Sequence, residues 1–330
     1  MTRRCDDYGE MTRRNIGFIT AAEQEALRAA RVFVCGVGGM GGAALVTLVR
    51  AGVGELCVAD PDQFERSNLN RQLLATHDTL GCPKTQVARK HIAEINPDAR
   101  VMTWGRGWVD ELDAILPRYP VVINGMDDVR AAIRLYRKAR EHGTVVIDAY
   151  SSPLPSVVRV GPDDPRPEER LGFPSIGRDP ASLTDREVDE CVLREIEYVA
   201  AHSSSLERID PAIAAEVLAG TRPRPSFAPV VLLAGELMGG EALAALLGRT
   251  TRTDHRGWFL DPWSGRIERP RGRLTAWLRE RLARRALRGI ATAAAPESHR
   301  TTPAVARPPE YANRSDPWRG SLRAQAGGAR

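Results

Sequence analysis

Lysine is almost missing from this chain: of 47 basic residues only Lys84, Lys90 and Lys138 are lysine, and the rest are arginine. So one-sided a choice reflects composition bias rather than a nucleic-acid interface, and no nucleic-acid partner is expected. It also makes each surviving lysine a candidate for a specific task. Cys5, Cys35, Cys57, Cys82 and Cys191 form no C-x-x-C pair. That odd count and spacing argue against a disulfide framework and against a tetrahedral zinc site. No run of 18 apolar residues is read, and the charged start "MTRRCDDYGEMTRRN" has no apolar stretch behind it. The expectation is a cytoplasmic protein with neither secretory leader nor transmembrane segment. No His or Ser constellation suited to nucleophilic catalysis stands out, and His77 and His142, without motif partners, are placed on the surface. The six tryptophans are read as core and hairpin packing ahead of ligand stacking.

The charge that is present is unevenly placed. Residues 251–330 hold 17 Arg against 7 Asp plus Glu, a balance of +10, while the whole chain is +5; residues 1–250 are therefore at −5. Basicity belongs to the C-terminal part. There "RGRLTAWLRERLARRALRGI", residues 271–290, sets Leu274, Trp277, Leu278 and Leu282 along one helical side with arginines elsewhere. Such a helix binds a membrane surface or an acidic partner, or docks its apolar side on its own domain, which is the expectation here. Residues 291–330 lack periodicity and are expected to be a disordered tail.

Strand and helix patterns alternate through residues 1–162, with strands at Val32 to Cys35, "ELCVAD", "ARVMTW", "YPVVIN" and "TVVIDAY". Helices over 15–31, "GGAALVTLVRAG", "KTQVARKHIAEIN" and "VRAAIRLYRKAREHG" lie between them, which predicts an α/β, Rossmann-like doubly wound, mostly parallel sheet with helices on both faces. Residues 163–226, Pro-rich and then helical, read as an insertion or lid. Residues 227–270 read as an apolar return helix and a closing hairpin.

The stretch "VFVCGVGGMGGAALVTLVRAGVGELCVAD", residues 32–60, carries a nucleotide-binding pattern. Gly36, Gly38 and Gly41 fit G-x-G-x-x-G, Gly39 lies in the same turn, and Asp60 ends the next strand at the distance that suits a ribose hydroxyl. An oxidoreductase using a nicotinamide dinucleotide, a regulator that kept the fold and an ATP-dependent adenylating enzyme all remain open on this evidence. Downstream residues narrow it. Asp62, Asn68, Arg71 and Gln72 follow within a dozen residues, and a guanidinium there suits a triphosphate more than a hydride donor. Lys84 opens a helix whose N-terminal amides also favour an anion. Asp127 and Asp128 sit in the loop after a strand, where one carboxylate suits Mg²⁺ on phosphates. Asp62 is equally suited to forming a turn, and Asp128 to starting a helix.

In combination, "GVGGMG", "DPD", "SNLNRQ", "PK", "INP" and "MDD" resemble the ThiF, MoeB and HesA superfamily of ubiquitin-activating-type adenylating enzymes. The likeness runs from about residue 10 to 160, with an echo at "SFAPVVLLAGELMGGEALAAL". It implies that Asp60 holds the ribose, that Asn68, Arg71 and Lys84 hold phosphates, and that Asp127 holds Mg²⁺. It also implies a homodimer in which an N-terminal arginine, Arg14 or else Arg13, reaches the partner subunit's site. The implied activity is ATP-dependent adenylation of a carboxylate, usually the C-terminus of a ubiquitin-like or sulfur-carrier protein. A carboxylate on a peptide or small molecule is the other substrate class. Relatives with paired C-x-x-C motifs hold zinc, and none is expected here. Some relatives transfer the acyl group to a cysteine. Cys191 is the lid's one candidate for such a thiol, but Asp189, Glu190 and Glu195 around it should raise its pKa and leave it inert. Cys82 is read as a packing or loop residue.

Overall fold

Val32, Phe33, Val34 and Cys35 are fully buried, as a β-branched and aromatic run between two parallel neighbours requires. A computed structural model describes residues 7–272, 275–279, 281–283 and 285, all within one unit spanning residues 1–294. Two short helices, α1 (Asp7–Thr12) and α2 (Ala21–Ala29), lead into β1 (Arg31–Cys35). α2 starts later than the apolar spacing over 15–31 suggests, because Thr20 and Glu23 form a capping box and Gly17 takes a φ of +116°.

The alternation then continues as expected: α3 (Gly39–Ala51), β2 (Glu55–Ala59), α4 (Lys84–Ile95), β3 (Arg100–Trp104), α5 (Leu112–Ile115), β4 (Val121–Asn124), α6 (Val129–Glu141) and β5 (Val145–Asp148). β6 (Ser156–Val160) precedes the insertion, which holds α7 (Pro167–Leu171), α8 (Asp185–His202) and α9 (Pro211–Leu218). After it come α10 (Ala228–Leu246), β7 (Trp258–Asp261) and β8 (Arg266–Glu268). One sheet runs β3-β2-β1-β4-β5-β6-β7-β8. The strands β3 to β5 are parallel, whereas β6, β7 and β8 are added antiparallel.

The insertion is built onto the antiparallel end of the sheet. Tyr198 and Val199 of α8 bury against Tyr150, Val158 and Phe259. Glu168 of α7 is buried, and the Arg137 fork of α6 donates to it at 2.9 and 2.7 Å while Ser175 Oγ donates at 2.8 Å. Burial alone would push this carboxyl up, but Arg137, Ser175 and Arg166 more than reverse that and hold it below the usual carboxylate range. Its stabilisation is therefore present above about pH 4.3 and is lost as pH falls through the lowered value. Glu168→Gln is expected to cost about 2 kcal/mol at pH 7, since it leaves the half-buried guanidiniums of Arg137 and Arg166 without their shared counter-charge. Urea unfolding of both proteins at pH 7 and pH 4 checks this, with the gap narrowing at the lower pH.

α10 lies across α3 with little room. A Cβ on Gly235 would meet Met40 O at 2.3 Å, and one on Gly39 would meet Val231 Cγ1 at 2.3 Å. By length and composition α10 is apolar enough to cross a membrane, which corrects the reading that no such run exists. In this fold it packs on α3 and the sheet, and its Glu241 is buried against Arg159, Thr251 and Thr253.

His142 keeps its expected place at the surface, with Nε2 2.8 Å from Asp113 Oδ1. Two surface expectations change. Trp263 is exposed rather than packed in the hairpin. In the helical residues described between 275 and 285, Ala276 and Ala283 are buried while Trp277, Leu278 and Leu282 face solvent, so the large apolar side does not dock. Leu274 and the expected disordered tail, 291–330, lie outside the described residues.

Candidate nucleotide site

The strand order reverses direction between β1 and β4, and ligands of open α/β sheets bind in the crevice outside the carboxyl ends at such a point. Gly36 follows β1 with φ +79°, pressed so closely on the loop after β4 that a Cβ would lie 2.8 Å from Gly125 C and O. A cleft of about 1130 Å³ opens there, lined by Gly36, Gly38 and Gly39, by Asp60 and Asp62, by Arg71, Gln72 and Lys84, and by Asp127 and Asp128.

Asp60, 6% exposed, directly follows β2. Its Oδ2 accepts the Val37 N–H at 2.8 Å and its Oδ1 the Asp62 N–H at 2.9 Å, so the carboxylate braces the glycine turn while facing the cleft. Burial pushes its pKa up, opposed by those N–H groups and by Lys84. Each oxygen keeps a further lone pair that a sugar hydroxyl can use. Lys84, 7% exposed, starts α4; its N–H donates to Asp62 O, and its Nζ lies 3.0 Å from Asp62 Oδ2 and 4.0 Å from Asp60 Oδ1. Asp62 thus does more than turn the chain: it holds the ammonium at the wall of the cleft.

Arg71 Nη1 donates to Ser67 O at 2.7 Å and Asn70 Oδ1 at 2.9 Å, and among the described residues no carboxylate pairs with it. Charge that the protein leaves uncompensated is available to a phosphate. Gln72 is buried beside Gly38, and its Oε1 has no hydrogen-bond partner among the described residues. An orphaned acceptor next to a glycine turn fits a ligand that carries donors. Asp127 is exposed in the loop after β4, and Asp128 caps α6 by accepting the Ala131 N–H at 3.1 Å.

Three predicted residues stand outside the cleft, and Cys191 borders its lid end while itself nearly enclosed. Gly41 does not line the cleft; a Cβ there would lie 1.9 Å from Gly36 O, so its role is close packing of α3 on the turn. Asn68 accepts the Glu65 N–H at 3.1 Å and closes a short turn, facing a smaller polar recess it shares with Asp62, Lys84 and Arg106. Arg14 is exposed on the turn Arg13–Asn15, outside the cleft of its own chain, and Arg13 pairs with Glu10. Cys191 is 1% exposed among Ile133, Phe173 and Leu183, and burial, with Glu190, pushes its thiol up to about 11 against the pull of Arg194. Such a thiol holds its proton at neutral pH, which makes it a poor acyl acceptor.

The sequence reading missed Arg106, which lines both the cleft and the recess. Its signal was available in "GRG" directly after β3, a flexible cation at a parallel strand's carboxyl end. It also missed Asp148 at the end of β5, where Asn124 Nδ2 donates at 2.9 Å and Tyr136 Oη at 2.5 Å. Burial pushes this carboxyl up to about 6.

A parallel switch point, a glycine turn and a buried lysine at the start of α4 beside the strand ends define an α/β protein of the doubly wound class. Within that class the chain belongs to the ThiF family, which it matches over residues 12–276. The match runs on through the insertion and the hairpin, beyond the 10–160 segment and its echo. The chain is 40% identical over 107 residues to the sulfur carrier protein adenylyltransferase of Thermus thermophilus, covering 32% of this chain and 39% of that protein. Over 107 residues it is 39% identical to the molybdopterin-synthase adenylyltransferase of Escherichia coli, covering 32% and 43%. It thus spans less than half the length of these curated relatives. The crystal structure of E. coli MccB with ATP has the same fold, with a TM-score of 0.56 at 18% identity, covering 82% of this chain and 74% of that one.

Proposed function

We propose that this chain is an ATP-dependent adenylyltransferase that activates a carboxylate, the C-terminus of a small ubiquitin-like or sulfur-carrier protein, as an acyl-adenylate. The observation that carries the reading is that Lys84 and Arg71 line one cleft with Gly36, Gly38 and Gly39, because these donors and bare backbone suit a triphosphate, while the orphaned Gln72 Oε1 is left to accept from a donor group elsewhere on the ligand. The names of the relatives support it, and so does the ATP bound in MccB.

In this reading Asp60 accepts the ribose hydroxyls, while Lys84 and Arg71 hold the phosphate oxygens. A carboxylate oxygen attacks the α-phosphorus, the bond to the β-phosphate oxygen breaks, and the departing pyrophosphate gathers charge that Lys84 and Arg71 neutralise. Catalysis then rests on positioning and electrostatics, with no general base required. Asp127 would hold Mg²⁺ with the phosphates, and the ion when bound would neutralise their charge. Among the described residues no group of three His, Cys, Asp or Glu could cage a metal, and one exposed carboxylate suits an ion that takes its other ligands from phosphate and water. A homodimer completes the site in this reading: Arg14 stands beside the exposed Ile16 and Phe18, and a partner covering that apolar face would receive it.

A second reading, a peptide or small-molecule carboxylate, is favoured by the cleft's continuation beneath the lid along Val192, Ile196, Leu206, Phe227 and Trp263. Exchange of labelled pyrophosphate into ATP, with sulfur-carrier proteins and with free peptides as carboxylate donors, separates the two. Exchange is expected with one class. Affinity for NAD in place of ATP would sink both.

A further inference from the structure

Most arginines that build the lid or hold it on the body meet carboxylates, among them Arg137 and Arg166 with Glu168, Arg140 with Glu169, Arg130 with Asp185 and Arg208 with Asp261. Of the lid arginines that meet no carboxylate among the described residues, Arg186 and Arg224 are exposed to solvent, whereas Arg170 of α7 has its guanidinium enclosed. Its guanidinium carbon lies 4.4 Å from the centroid of the Tyr198 ring, and its Nη2 donates to Tyr150 Oη at 2.9 Å. Nε and Nη1 are buried and meet no acceptor among the described residues, and no carboxylate comes within ion-pair distance. Arg170 lines the same cleft as the glycine turn.

A guanidinium stays charged in a protein, and a buried charge without a partner is strongly unfavourable. The aromatic cradle holds the group in place but supplies no anion. Glu195, which also lines the cleft, takes the Ser151 N–H at 3.1 Å and feels the charges of Arg224 and Arg170, but it makes no ion pair with Arg170. Asp148 is already engaged by Tyr136 and Asn124. The missing acceptor must come from the ligand. It is not the triphosphate, because Arg170 rests on Tyr150, just past β5, two strands from the β1 turn and three from Asp60 just past β2. At about 4.8 Å per strand, that is roughly 10 Å from the glycine turn.

Resting on the adenylation reading above, we propose that Arg170 is a specificity-determining residue that binds a second, non-reacting carboxylate of the acyl substrate, so that the substrate is an acidic peptide C-terminus. The reacting carboxylate loses its charge on adenylation, whereas the second keeps it, so Arg170 holds substrate and acyl-adenylate alike. An extended chain covers about 3.4 Å per residue, which places the acidic side chain within the three residues before the C-terminus.

The test is pyrophosphate exchange with hexapeptide pools, randomised except for Glu or Gln fixed at one of those three positions. For the native protein, exchange with Glu over Gln is expected to be favoured at least about tenfold at one position, as for a charge-assisted hydrogen bond. Arg170→Gln should bring that ratio to near 1, and Arg170→Lys, which keeps the charge but loses the fork, to an intermediate value at an unchanged melting temperature. Because the ratio is internal to each protein, a partly unfolded variant still reports it. Equal exchange with Glu and Gln pools in the native protein, or a ratio that survives both substitutions, overturns Arg170's role while leaving adenylation standing. Exchange with no pool in a protein that binds ATP by calorimetry overturns the acidic peptide. Failure to bind ATP overturns the adenylation reading itself.

Discussion

Lys84→Ala is expected to lower kcat/KM for ATP–pyrophosphate exchange by about 10² to 10³, the range for removing one preorganised donor from a developing charge. Lys84 is nearly buried, yet its Nζ reaches the wall of the cleft, held between Asp62 at 3.0 Å and Asp60 at 4.0 Å. A cation fixed in this way needs little reorganisation when pyrophosphate departs. The substitution removes that charge and also leaves Asp60, whose carboxyl burial already pushes up, without the cation that opposes the shift. Its pKa should rise further, which weakens the carboxylate that faces the ribose. The loss is therefore expected in both ATP affinity and turnover, and to grow as pH falls. Arg71→Ala should act mainly on turnover, because Arg71 is tethered only to Ser67 and Asn70 and supports no buried carboxylate. Calorimetric ATP binding and exchange kinetics of the two variants, measured at pH 6 and pH 8, check this. Exchange at native rates in Lys84→Ala removes the proposed phosphate site.

How much of this was legible in the sequence follows from the range over which each signal acts. The parallel core could be read because its strands are short apolar runs and its helices end at glycines; Gly52, with φ +93°, closes α3 where expected. Lys84 and Asp60 could be read because a motif in register with strand ends fixes where side chains emerge. Arg170 could not. Its meaning depends on which neighbouring arginines find glutamates, and those pairs join α6 to α7, 29 to 31 residues apart. The exposed Trp277 and Leu278 went the other way: apolar spacing marks a helical side, but whether a partner surface exists for it is a tertiary fact. Gly41 is the subtler case, since a fingerprint names its glycines together while the structure gives them different tasks.

That difference sets the last expectation, a contrast between two single-methyl changes. Gly41→Ala places a Cβ 1.9 Å from Gly36 O and 3.3 Å from Gly125 Cα, with backbone on both sides and no flexible group to yield. The helix α3 must then back away from the β1 turn, opening the contact that α10 shares through Gly235 and Gly39. A loss of about 3 kcal/mol or more is expected, at the upper end for overpacking, seen as a lower denaturation midpoint with or without nucleotide. Gly38→Ala meets only the Gln72 side chain, with its Nε2 at 3.3 Å, but Gly38 has φ −73° and ψ −128°, outside the α and β regions, so alanine needs a small local turn of the backbone as well as a rotation of that amide. Its stability should fall by about 1 kcal/mol, less than for Gly41→Ala, while the methyl and the displaced Gln72 occupy the space a phosphate would need. ATP binding measured alongside urea unfolding distinguishes them: Gly38→Ala should fold and bind weakly, and Gly41→Ala should bind only to the extent that it folds. Equal stability loss in both would mean that the turn itself, not the approach of α3, sets the requirement for glycine.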